Sequence, residues 1–265
     1  MRLEAHHVRA LKGVRQLVQV NVDGPEQAAA AEAAGIDIVV TGRLDQRAAV
    51  RAAAPLTHVC FSLPYGAHAD EAALLRAAFE NLAMGADSVY CALSPRFIEP
   101  LAREGIPVCA HAGLVPQKAR LTGTRAFGKT AAEARRLLDA TRAFEAAGAF
   151  ALELECVAAP VAALLCRSTA MTVVSIGSGA GCDVQYLFGL DILGQGPGRR
   201  PRHARAWDDF AAELDRLQAR RVAAFRAFRD AVADGTFPGP AEIVAGDPAE
   251  TDAFRARLAA EAPPS

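Results

Sequence analysis

No stretch of the chain approaches ~18 uninterrupted apolar residues, so it offers no candidate membrane-spanning helix. Charge of one sign is missing too: 29 Lys and Arg stand against 30 Asp and Glu, with no long block of either. Neither nucleic acid nor an anionic membrane is therefore an expected partner. Met1 to Val14 mixes Glu4, His6, His7, Arg9 and Lys12 with apolar residues and lacks a continuous apolar core, which argues against a secretory leader and for a cytoplasmic protein. No GxGxxG follows the first strand-like run, so a dinucleotide fold is not indicated. The six cysteines, at 60, 91, 109, 156, 166 and 182, show no CxxC spacing, and several sit inside apolar runs. Buried reduced thiols are expected. Because Cys60, Cys91, Cys109 and Cys156 fall in four different predicted strands, a thiol cluster stays open as an alternative.

What the chain does have is alternation. At 265 residues and 52% hydrophobic composition it can bury one large core, and a single domain over 1–265 is expected. Strand-like runs recur at Leu17–Val22, Ile36–Thr41, Thr57–Leu63, Ser88–Leu93, Pro107–His111, Phe150–Cys156, Thr172–Ile176 and, weakly, Val184–Phe188. Helical spacing fills the intervals, as in Pro25–Ala34, Glu71–Met84, Ala131–Ala147 and Ala158–Arg167. Parallel strands joined by crossover helices follow from this order, and eight strands favour a closed (β/α)8 TIM barrel over a doubly wound sheet. Glycines at the helix-to-strand joints, as in Ala33-Ala-Gly-Ile-Asp37 and Ala147-Gly-Ala-Phe150, suit helix stops at the bottom of such a barrel. A helical extension is expected from about residue 204, where Trp207, Phe210, Leu214, Leu217, Phe225, Phe228 and Val232 recur at helical spacing. A second short helical stretch follows Pro240, and the last four residues, Ala-Pro-Pro-Ser, should fray.

Barrel enzymes do their chemistry at the C-terminal strand ends. The fifth strand ends in Cys109-Ala-His111, the sixth in Glu153-Leu-Glu155-Cys156, and the seventh in Ile176-Gly177-Ser178-Gly-Ala-Gly181. Glu153 and Glu155 are two apart in an apolar strand and so share a face. Burial and mutual repulsion would raise at least one of their pKa values, which suits a general acid or base. An internal ion pair of Glu153 with Arg or Lys is the structural alternative. His111 can donate to a substrate oxygen or act as a base, or else be a satisfied core histidine. Gly177 and its neighbours, with Ser178, can admit an anion to backbone N–H groups, although a glycine-rich turn also occurs without a ligand.

The same segments resemble ketopantoate hydroxymethyltransferases in ordered blocks. These are Glu32-Ala-Ala-Gly-Ile-Asp-Ile-Val-Val-Thr-Gly42, Leu63-Pro-Tyr-Gly66, Gly105–Gln117 with its His111-Ala-Gly-Leu-Val-Pro-Gln117, Glu145–Val157, Ile176–Gln185, Asp191-Ile-Leu-Gly194 and Gly235-Thr-Phe-Pro238. The resemblance implies a (β/α)8 barrel related to phosphoenolpyruvate mutase and isocitrate lyase, assembled as a homo-oligomer, often a decamer. It implies hydroxymethyl transfer to a small 2-oxo acid, with 5,10-methylenetetrahydrofolate as co-substrate, Glu155 as catalytic base and His111 in the active site. The family's Mg²⁺ carboxylates have no counterparts: Arg43, Ser62 and Ala92 stand there, with Tyr90 in place of a lysine. No metal is therefore expected. Substrate contacts are expected from Ser62, Tyr90, Glu153, Gly177, Ser178 and Arg43, whose guanidinium could grip a carboxylate where the metal sat. An Arg43 facing solvent ahead of Arg47 and Arg51 is the alternative. A carbon–carbon lyase and a catalytically silent acid-binding barrel also stay open.

Overall fold

A computed structural model of the chain describes residues 2–68, 70–196 and 198–261; the C-terminal Ala-Pro-Pro-Ser lies outside the described residues. Eight parallel strands, β1 (Leu17–Asn21), β2 (Ile38–Thr41), β3 (His58–Ser62), β4 (Ser88–Tyr90), β5 (Val108–Gly113), β6 (Ala151–Glu155), β7 (Thr172–Ile176) and β8 (Val184–Phe188), close into a barrel in sequence order. The helices are α1 (Ala5–Ala10), α2 (Pro25–Ala33), α3 (Arg47–Ala53), α4 (Glu71–Ala83), α5 (Pro95–Arg103), α6 (Ala119–Thr122), α7 (Ala131–Ala146), α8 (Ala159–Arg167), α9 (Gly189–Ile192), α10 (Phe210–Ala233) and α11 (Pro248–Glu261). Every expected strand forms. The fourth is shorter than its apolar run because Pro95 starts the next helix.

Strands in such a barrel are buried on both faces, which is why they read as near-continuous apolar runs. Leu17, Ile38, Val40, Cys60, Cys109, Val174 and Val184 fill the inside. Alternate residues such as Val89, Val108, Leu152, Leu154 and Val173 are buried in a separate cluster with α4, α5, α7 and α8. The N-terminal mouth is plugged by α1, whose Val8 belongs to the inner cluster, and by the Leu3 carbonyl, which bonds His58 Nδ1 at 2.9 Å. Sequence reading missed this helix. Its six residues hold one buried side chain, too few to set up a periodicity, and its start is set by a reciprocal capping box between Glu4 and His7. Gly35 and Gly148 adopt φ of +77° and +86°, as the joint motifs require.

The chain divides into two compact units, Met1–Phe210 and Ala211–Ser265. The first holds the barrel. Trp207, expected within the long helix, instead lies in the irregular connector before it, because its N–H and that of Phe210 bond the Ile192 and Leu193 carbonyls at 2.9 and 3.0 Å. The second unit carries most of α10 and all of α11. No helix among the described residues is long and apolar enough to cross a membrane.

Candidate active site

Register builds the site. β5 pairs with β6 so that His111 lies beside Glu153 and Gly113 beside Glu155. Gly113 has φ +86°, and a Cβ there would overlap the Glu155 carbonyl oxygen, so glycine is what lets β5 run this close to the end of β6. The Leu114 N–H then donates to that carbonyl at 2.8 Å. Because alternate strand residues share a face, both carboxylates enter the barrel on the side of the imidazole. His111 Nε2 stands 3.7 Å from Glu153 Oε1 and 3.4 Å from Glu155 Oε2. No hydrogen-bond partner satisfies it, although it is buried. On the other side of the ring, Nδ1 makes a short hydrogen bond with the Tyr90 hydroxyl.

The two carboxylates are not equivalent. The Glu153 side chain is 7% exposed and that of Glu155 14%. Burial pushes the Glu153 carboxyl up to about 7; a positive charge on the His111 ring would pull it down, and the charge of Glu155 raises it further. Burial and then Glu153 hold the Tyr90 phenol well above its ordinary range, so it stays protonated. We assign Tyr90 as the donor to Nδ1, which puts the proton of the neutral ring on Nε2, facing the carboxylates.

A cavity of 420 Å³ opens above this group. Ser62 and Tyr90 line it, together with Asn21, Gln117, Tyr186 and Phe188, which sequence reading did not single out. The inward alternation of Val184, Tyr186 and Phe188 and the strand-end position of Asn21 were the available signals. Three expected residues stand elsewhere. Arg43 is half-exposed and pairs with Asp45 at 3.3 Å, because an acid two residues on is within easier reach than the cavity. Gly177 lines a different cavity of 580 Å³ against β1, β7 and β8, next to His203. Ser178 is fully buried and its hydroxyl is consumed by backbone: it accepts from Val157 N–H at 2.9 Å and donates to the Leu154 carbonyl at 2.7 Å. Although the larger cavity exceeds the first in volume, the carboxylates and His111 all belong to the first.

Glu153 has no Arg or Lys partner among the described residues; its ionic neighbour is His111. The thiols take no part either. Cys60 is buried and pushed up to about 12, chiefly by burial, and no described group with metal-binding spacing includes a cysteine. At the β2 and β3 ends the cavity is lined by Gly42 and Ser62, and Ala92 follows β4, so the positions at which the resemblance implies Mg²⁺ ligands offer no carboxylate and do not fit that ion. The donor atoms of His111, Glu153 and Glu155 lie within 4.8 Å of one another, which makes these three the residues at the mouth that can close on a divalent cation.

The ketopantoate hydroxymethyltransferase family model matches residues 22–240. The 3-methyl-2-oxobutanoate hydroxymethyltransferase of Gluconacetobacter diazotrophicus is 41% identical over 145 residues, 55% of this chain and 50% of that protein. Its namesake in Burkholderia thailandensis is 37% identical over 200 residues, 73% of this chain and 70% of that protein. The matched region thus spans half to seven-tenths of these curated relatives. Among solved structures, phosphonopyruvate hydrolase in complex with oxalate and Mg²⁺ superposes with a TM-score of 0.54 at 14% identity, over 98% of this chain and 99% of that one. A likeness at that identity speaks for the barrel alone.

Proposed function

The chain belongs to the ketopantoate hydroxymethyltransferase family, a family of transferases, and we propose that it forms a carbon–carbon bond by hydroxymethyl transfer to a small 2-oxo acid. The acceptor to try first is 3-methyl-2-oxobutanoate, with 5,10-methylenetetrahydrofolate as the one-carbon donor. One observation carries the reading: at the end of a 420 Å³ cavity, an imidazole is flanked by two carboxylates of unequal burial.

The more exposed Glu155 takes the proton from the carbon next to the 2-oxo group. The enolate oxygen that develops accepts a hydrogen bond from His111 Nε2–H, held in line by Tyr90 on the far side of the ring. Water releases the methylene of the donor as formaldehyde, both of its carbon–nitrogen bonds breaking and the two nitrogens of tetrahydrofolate taking the protons of the water; the enolate carbon then adds to that carbonyl carbon, and the alkoxide formed takes the proton held by Glu155. Glu153 is a positioning residue. Protonated, it adds no negative charge beneath the enolate; ionised, it would repel the enolate in a medium where charges are poorly screened. Ser62 and Gln117 supply polar groups for the substrate carboxylate. Arg43, Gly177 and Ser178 are not among the residues that line the cavity, and they have no part in the proposed mechanism.

The proposed reaction uses no Mg²⁺ at the β2 and β3 ends, where its ligands are lacking. A second reading, a divalent cation held by His111, Glu153 and Glu155, is favoured by their spacing. Product formation from the two substrates, measured with chelator and with added Mg²⁺, separates the two: activity that persists in chelator supports the first. We further propose a cytoplasmic homo-oligomer, supported by the family and by the apolar stripe in the sequence of α10. A monomeric mass in solution would remove that part.

A further inference from the structure

A third cavity, also of 580 Å³, lies at the end of β5, bounded by α6, the 123–130 loop and α7. It adjoins the candidate active site: His111 lines both cavities. One short turn, Pro116–Lys118, serves the two in succession, with Gln117 lining the active-site cavity and Lys118 this one.

The charge in this cavity is unbalanced. Lys118, Arg125 and Arg136 line it against one carboxylate, Glu133, which Arg125 already holds at 2.7 Å. Lys118 is half-buried and makes no ion pair among the described residues. Burial pulls its ammonium pKa down, and the neighbour that opposes this is the Cys91 thiol, not an acid. A partly buried cation without a counter-charge is costly unless an anion completes it. The remaining wall is apolar and aromatic, with Phe127, capped by the Arg125 guanidinium at 4.2 Å from its ring centre, and Phe144. Small-molecule sites of about 300–1,000 Å³ commonly combine such a wall with a few convergent charges.

We propose that this cavity is an anion subsite that takes an acid carried on an aryl group, with Lys118 and Arg136 on its carboxylates and Phe127 and Phe144 against its ring. Its occupant is the acidic end of the one-carbon donor, whose reactive end enters the first cavity past His111. The donor's identity rests on the hydroxymethyl-transfer reading; the anion chemistry does not.

The test is titration calorimetry of the full chain with p-aminobenzoylglutamate, glutarate and 3-methyl-2-oxobutanoate, in low and high salt. The unaltered protein should bind p-aminobenzoylglutamate more tightly than glutarate, and less tightly as salt rises. Lys118→Gln should weaken that binding about tenfold, the scale of a lost charge-assisted hydrogen bond. Arg136→Gln should weaken it several-fold, Lys118→Arg should restore most of it, and affinity for 3-methyl-2-oxobutanoate should stay the same throughout. No binding of p-aminobenzoylglutamate, equal affinity in all variants, or glutarate binding just as tightly would overturn the proposal. Lys118-dependent binding without product from the two proposed substrates would leave the subsite and remove the reaction; product without Lys118-dependent binding would do the reverse.

Discussion

The two sides of the barrel mouth differ in charge. On the β5–β6 side, Glu153 and Glu155 stand 3.7 and 3.4 Å from one imidazole nitrogen of His111. On the β2–β4 side, Gly42, Ser62 and Ala92 line the same cavity without a carboxylate, and the guanidinium of Arg43 turns to Asp45 in solvent. The family resemblance implies a metal on the second side. Here the carboxylates and the imidazole stand on one side only, and the acid that stands out is Glu153, deeper in the barrel than the base. A site of this kind can still stabilise an enolate, with a donated proton and an absent charge doing what a cation would otherwise do.

The largest expected effect separates the two carboxylates of the charged side. Glu155→Gln should lower the rate of proton abstraction from 3-methyl-2-oxobutanoate by roughly 10³-fold, within the range for loss of a general base, while substrate affinity changes little. Single-turnover rates alongside calorimetric binding would check this. A comparable loss of affinity would make Glu155 a binding residue instead.

Glu153 should act through pH. With its carboxyl at about 7, it loses its proton as pH rises through that value, so the rate should fall on the alkaline side. Glu153→Gln keeps a neutral group of the same shape and should abolish that limb, leaving the variant about tenfold faster than the unaltered protein at a pH near 8, one unit above the shifted value. An unchanged alkaline limb in the variant would assign the titration elsewhere.

Stability gives a smaller effect with a definite sign. A carboxyl raised from the ordinary 4.5 to about 7 stabilises the fold fully below 4.5, and that contribution is lost as pH rises through 7. Glu153→Gln should therefore raise the melting temperature at pH 8 by on the order of 5 °C, with the gain shrinking toward pH 5. Calorimetry at both pH values tests the direction.

The smallest effect belongs to the stripped side. Arg43→Ala should change turnover less than about twofold, as for a solvent-screened pair. A large drop in kcat/KM would restore the substrate-gripping role that its place in the sequence suggested.

These contrasts also mark what was legible in the residues. Strand count and order, the shared face of Glu153 and Glu155, and His111 at the end of β5 all follow from periodicity, because each depends on backbone geometry that a strand imposes on every member. The direction of Arg43 does not. It sits just past a strand end, where a local acid, Asp45, competes for its guanidinium, and no periodicity governs that choice. Ser178 looked like an anion ligand in a glycine-rich turn, yet its hydroxyl serves two backbone groups from the β6 end, a long-range need that local sequence does not express. The role of Tyr90 was half visible: its place on β4 marked the cavity, but its bond to His111 needed the curvature of the closed barrel.

The central claim, that a proton on the β5–β6 side replaces a metal on the β2–β3 side, is tested most directly by deuterium exchange. The measurement is loss of the proton signal next to the 2-oxo group of 3-methyl-2-oxobutanoate in D₂O, using protein stripped by chelator and verified free of divalent cations by elemental analysis. The account predicts that exchange persists in the stripped protein, declines above pH 7, and disappears in Glu155→Gln. Exchange that stops on stripping and returns with one equivalent of Mg²⁺ or Zn²⁺ would contradict it.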